Sequence, residues 1–139
     1  STKLVGVDLS GMDLTGTILK KADLTKANLN GVDLYGKDLT STKLVGVDLS
    51  GKDLTETILR GADLTDVTLT GTTLTGTNLF KSKLVNADLS GKDLTQTMLE
   101  KADLTGADLT DANLTGANLT GANLTNAVLN CIGHPVCVN

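Results

Sequence analysis

Aromatic side chains are nearly missing from this chain: in 139 residues there is no tryptophan, one tyrosine (Tyr35) and one phenylalanine (Phe80). An interior built from it has to be aliphatic. Proline occurs once, as Pro135, beyond the repetitive part of the sequence, so no earlier residue lacks the backbone donor that a β-ladder needs. The one histidine, His134, the lack of a serine with a basic partner at motif spacing, and the lack of a glycine-rich loop leading into Lys-Ser or Lys-Thr leave no catalytic or phosphate-binding constellation. No enzymatic activity, cofactor or metal is expected. No apolar run approaches the roughly 18 residues of a membrane-spanning helix. No charged-then-apolar leader opens the chain, so membrane insertion is not expected and any export signal would already have been removed. Lys and Arg are absent after Lys101, which removes the basic surface that nucleic acid or an anionic membrane would require there. The formal charge is −4: residues 1–60 carry eight acidic and eight basic side chains, residues 61–139 eight and four.

What the chain has in abundance is leucine at one spacing. From Leu4 to Leu129 a leucine stands every five residues, through 26 consecutive units. Five residues advance an α-helical side chain by about 140° and flip a strand side chain to the opposite face, so neither regular structure lines these leucines up. A backbone that turns a corner once per unit does, which predicts a narrow solenoid with sides one pentapeptide long. The residue two before each leucine is small (Ala, Thr, Val or Ser) in 22 units, and the residue one before is Asp or Asn in 17. A small side chain can share the interior with leucine, while Asp, Thr and Gly suit corners and exposed positions.

A longer period is superposed. Ser1 to Gly11 and Ser41 to Gly51 are the same string, STKLVGVDLSG, and Lys81-Ser82-Lys83-Leu84-Val85 begins a diverged third copy. Forty residues would be two coils of twenty. In that register Lys3, Asp23, Lys43, Asp63, Lys83 and Asp103 form a column of alternating charge, and Gly11, Gly31, Gly51, Gly71 and Gly91 form a glycine corner.

The unit A-(D/N)-L-T-G, clearest at Ala102-Asp103-Leu104-Thr105-Gly106 and its successors through Asn123-Leu124-Thr125, resembles the pentapeptide-repeat family over residues 1–130. The resemblance implies an all-β fold, a right-handed quadrilateral β-helix with four pentapeptides per coil, the leucine and the small residue inside. Residues 1–130 would make about 6.5 coils of 20, a rod of roughly 31 Å at strand spacing, with 131–139 as a C-terminal capping tail.

Three units put lysine in the small-residue position, Lys37, Lys52 and Lys92, with Met12 equivalent to the last two. An uncompensated ammonium cannot stay in an aliphatic tube, so the head should leave toward a neighbouring carboxylate such as Asp53 or Asp93; the alternative is a local distortion that opens a notch. The tail holds both cysteines. A Cys131–Cys137 bridge would close a small ring and pin a cap over the end of the prism, free thiols are an alternative, and the C-x-x-H-x-x-C spacing lacks a fourth ligand for structural zinc. A disulfide would indicate an oxidising compartment, and thylakoid-lumen or periplasmic members of the family are similar in closing that end with a disulfide-bearing element; without one a cytoplasmic location is expected.

Function is expected to be non-enzymatic: a rigid rod presenting a surface to a protein partner. Ile18, Ile58 and Met98 recur at the super-repeat spacing in a normally polar position, and with Phe80 and Tyr35 they are the candidate interaction surface. The family resemblance supplies an alternative, a DNA mimic regulating DNA gyrase. B-DNA carries about 18 charges over roughly 31 Å, against a net −4 here, and the projecting loops of gyrase-protecting members have no counterpart. Stacked threonines such as Thr55, Thr75, Thr95 and Thr115 suggest ice or surface binding, on a side broken by Asp53, Asp93 and Tyr35. With Ser1 entering the repeat directly, the first coil is expected to be an open edge, either because a cap that precedes it has been removed or because it is available for homo-oligomerisation.

Overall fold

One residue in every five adopts a left-handed backbone. In the computed structural model, which describes residues 2–137, the second residue after each leucine from Leu4 to Leu124 has φ between 56° and 72°. Fourteen of these corners are glycine; the other eleven are Lys21, Lys26, Ser41, Glu56, Asp66, Lys81, Asn86, Gln96, Lys101, Asp111 and Asn126. At each corner the N–H three residues after a leucine donates to that leucine's C=O, as from Val47 to Leu44 at 3.0 Å. A positive φ at the third residue is what a type II turn demands. Ser1 of the first coil and Val138 and Asn139 of the tail lie outside the described residues.

Four corners close a coil. Parallel bridges join residue i to residue i+20, from Lys3 to Asp23 through Asp108 to Val128, giving a right-handed quadrilateral β-helix. We number its sides by their leucines: the first carries Leu4, Leu24 and onward by twenties, the second Leu9, the third Leu14, the fourth Leu19. Along the first side the bridges run unbroken from Lys3 to Asn123. At the far end the register slips, Asn113 bridging to Ile132 nineteen residues on. There the tail lies on the third side of the last full coil, so close that a Cβ on Gly133 would stand 2.9 Å from the Thr115 nitrogen. Cys131 and Cys137 are joined by a disulfide, S–S 2.10 Å.

Leucines from Leu9 to Leu119 fill the interior with the small residues beside them, all but the partly buried Leu14 below a tenth exposed. Six inward hydroxyls are also buried, and each donates to a leucine carbonyl, for example Thr57 to Leu34 at 2.9 Å and Thr97 to Leu94 at 2.7 Å. A buried hydroxyl is tolerated only when so paired.

Outside, the Asp or Asn before leucine has a structural task. At all 17 such positions its Oδ1 accepts the N–H of the residue after the leucine, closing an Asx turn. Where that residue is threonine, the hydroxyl often returns to the same oxygen, as from Thr65 to Asp63 at 2.7 Å.

Candidate interaction surface

Stacked by twenties, the charges separate around the rod. The pentapeptides of the second and third sides hold ten acidic residues (Asp8, Asp13, Asp33, Asp48, Asp53, Glu56, Asp88, Asp93, Asp108, Asp111) and two basic ones, Lys52 and Lys92, a net −8. Those of the first and fourth sides hold the remaining six acidic and ten basic, a net +4. The chain halves hide this because each visits all four sides. On the first side the alternating column resolves into pairs: Lys43 reaches Asp23 at 3.5 Å and Lys83 reaches Asp63 at 3.4 Å, each lysine bonding to the coil before it. The fourth side adds Lys20 to Asp38 at 2.8 Å.

The densest unpaired basic cluster lies on the fourth side. Arg60 stacks on Phe80, its guanidinium carbon 4.8 Å from the ring centroid, and the Lys81 ammonium stands 5.3 Å from the same ring. Thr40, Ser41 and Gly61 line a shallow groove of about 200 Å³ beside them. Neither cation has a carboxylate partner among the described ion pairs.

Of the candidate surface residues, Ile18, Ile58, Met98 and Phe80 fall on this fourth side. Asp38 and Asn78 separate the three aliphatic residues, so successive members stand two coils apart, about 10 Å. Ile18 is 81% exposed, Met98 39%, and Ile58 is half-buried. Tyr35 is on the third side, its phenol pushed up first by the Glu56 carboxylate and then by partial burial. The stacked threonines of the third side spend their hydroxyls locally: Thr95 on Asp93, Thr115 on Asn113 at 2.7 Å, Thr75 on Asp93 at 3.3 Å. Among the described residues no group of three or more His, Cys, Asp or Glu is placed to hold a metal ion.

The inward lysines do not reach toward Asp53 or Asp93. The Lys37 ammonium donates to the Leu14 carbonyl at 2.5 Å, and that of Lys52 to the Val32 carbonyl at 2.9 Å, both acceptors in the preceding coil. Lys37 and Lys52 thus leave the interior through the seam between coils, and the seam stands open at both and at Lys92. Among the described residues six bridges of the regular pattern are missing, two flanking each lysine: 13/33 and 18/38 at Lys37, 28/48 and 33/53 at Lys52, 68/88 and 73/93 at Lys92. Clefts mark the places: about 530 Å³ beside Lys37 and Tyr35, about 380 Å³ at Lys92, and about 110 and 300 Å³ on the two flanks of Lys52. Burial lowers the Lys52 ammonium's proton affinity, opposed by Asp33 and Asp48.

A sequence profile described as pentapeptide repeats matches residues 2–40, 33–71, 57–96, 72–111 and 107–131. No curated protein matches. Among solved structures, HetL, a pentapeptide repeat protein involved in heterocyst differentiation regulation from the cyanobacterium Nostoc sp. strain PCC 7120, is 30% identical, with TM-score 0.50 over 99% of this chain and 64% of HetL. This chain thus spans just under two thirds of that relative. A pentapeptide repeat protein of the Arabidopsis thaliana thylakoid lumen is 27% identical over 84% of this chain and 70% of its own, TM-score 0.43. QnrB1, a plasmid-mediated fluoroquinolone resistance protein, is 17% identical over 90% and 78%, TM-score 0.47.

Proposed function

The chain belongs to the pentapeptide-repeat family, and from that premise we propose that it is a non-enzymatic interaction rod whose fourth side binds an acidic protein partner. The observation that carries this reading is the segregation of charge, net +4 on the first and fourth sides against −8 opposite, with unpaired Arg60 and Lys81 gathered on Phe80. An aromatic ring with two held cations offers both apolar contact and charge, the combination that interface anchors use. HetL's involvement in heterocyst differentiation regulation is compatible with such a binding role. The Cys131–Cys137 disulfide supports residence in an oxidising compartment, with residues 131–139 closing the end of a 1–130 coil.

The test is site-specific photocrosslinking in native extract, with the reactive group at Thr40 on the fourth side or at Thr110 on the second. An acidic partner captured only from Thr40, and lost in an Arg60→Glu, Lys81→Glu double variant, is the expected result. Equal capture from Thr110 would overturn it.

The acidic second and third sides favour one other reading, a DNA mimic acting on gyrase. Ten carboxylates over roughly 31 Å fall short of the about 18 charges of B-DNA, which ranks this reading second; inhibition of supercoiling by the purified protein would reverse the order.

A further inference from the structure

The dipeptide Asn-Gly occurs once in the chain, at Asn30-Gly31. A glycine nitrogen following asparagine can attack the side-chain amide carbon, because no side chain obstructs the approach. In a folded protein this is held back when the glycine N–H is hydrogen-bonded and its peptide plane clamped. Along the glycine corner that clamp is the rule: Gly11 donates to Asn30 O at 2.7 Å, Gly51 to Thr70 O at 2.8 Å and Gly91 to Thr110 O at 2.8 Å. It is missing at Gly71, beside the Lys92 seam, and at Gly31. The regular acceptor would be Ser50 O, and the seam opened by Lys52 lies between them; the Gly31 N–H makes no hydrogen bond among the described residues. Asn30 is exposed and, with Gly31, Ser50 and Lys52, lines the cleft at that seam. Elsewhere the nitrogens following Asn86 and Asn126 are tied, Ala87 to Leu84 O at 3.1 Å and Ala127 to Leu124 O at 3.0 Å.

We infer that Asn30 is a site of spontaneous deamidation, made competent by the Lys52 side chain, which lies one coil and two residues further along the chain. The Gly31 nitrogen bonds to Asn30 Cγ, the Cγ–Nδ2 bond breaks, and the proton lost by Gly31 passes through solvent to the departing nitrogen, which leaves as ammonia. Water then opens the succinimide at either carbonyl, giving aspartate or isoaspartate. Either product adds a carboxylate to the acidic second side, and the isoaspartyl linkage adds a backbone atom to a corner of the twenty-residue coil.

The experiment incubates the folded full chain in mildly alkaline buffer and follows each asparagine by peptide mass mapping. Deamidation should accumulate first at Asn30. In Lys52→Thr, which restores a small inward residue and lets Gly31 bond to Ser50, it should slow by roughly two- to tenfold, the factor one net hydrogen bond corresponds to. In denaturant the two chains should react equally. Equal rates in the folded proteins, or an intact Asn30 amide in the folded wild type while the unfolded chain loses it, would overturn the inference. Should the variant fail to fold, hydrogen exchange of the wild type decides: Gly31 must exchange faster than Gly11 and Gly51, and equal protection would overturn the inference.

Discussion

A lysine set where the repeat calls for alanine or threonine can only leave the prism sideways, because the interior has no acceptor for an ammonium. It leaves by displacing the backbone hydrogen bonds between two coils, and its own Nζ replaces one of the lost donors, as Lys52 does at Val32 O. The exchange is poor: one bridge is lost on each flank and a single bond regained. Lys52→Thr or Lys92→Thr should therefore stabilise the protein by about 1–2 kcal/mol, one or two net backbone bonds, read from urea denaturation. Unchanged stability would mean that the clefts are hydrated at no cost. Removing a leucine acts in the other direction. Leu64→Ala, in the middle of the stack and nearly inaccessible, should cost about 2–5 kcal/mol, because a rigid coil stacked on both sides has little freedom to collapse onto the void.

At the scale of the turn, aspartate is more than a surface residue. Asp8, Asp13, Asp48, Asp53, Asp88 and Asp93 are held below the ordinary carboxylate value, first by the hydroxyl two residues on and then by its backbone N–H. A carboxylate with a depressed folded value contributes stability that is complete above its unfolded value, about 3.9, and lost as pH falls through the folded one. Denaturation midpoints should stay level from neutrality to about pH 5 and drop below about pH 4; a decline beginning near pH 6 would assign the effect to other groups. Much of this scale was legible beforehand. The leucine period demanded a corner per unit, and the forty-residue duplication set twenty residues per coil. The Asx turns were half legible, since Asp and Thr are turn formers, but which backbone donor each carboxylate takes depends on the corner's φ. The lysine seams were legible only as the second reading, a distortion that opens a notch, behind an exit toward Asp53 or Asp93. Whether a long side chain leaves toward an acid on its own coil or between coils is decided by a coil spacing that no single pentapeptide encodes.

For the rod as a whole, the column register was enough to reveal the charge segregation, yet counting along the chain conceals it, because every twenty residues sample all four sides. Binding through Arg60, Phe80 and Lys81 should accordingly weaken as salt rises toward the range where the screening length falls below about 8 Å; affinity independent of ionic strength, measured by titration with the crosslinked partner, would point instead to the scattered Ile18, Ile58 and Met98. Reduction of Cys131–Cys137 should cost about 2 kcal/mol in the chain-entropy picture. The loss should be confined to the last coil in hydrogen exchange, because the tail touches only that end.

The first side keeps every one of its bridges from Lys3 to Asn123, whereas all three lysine seams open on the other sides. A rod so built is not equally stiff in all directions. Its coils can part on the second, third and fourth sides while remaining joined along the first, so bending is easiest about that edge, with the first side as spine and the seams as the fore-edge of a book. A partner that grips the ends would find the rod curving one way and resisting the other.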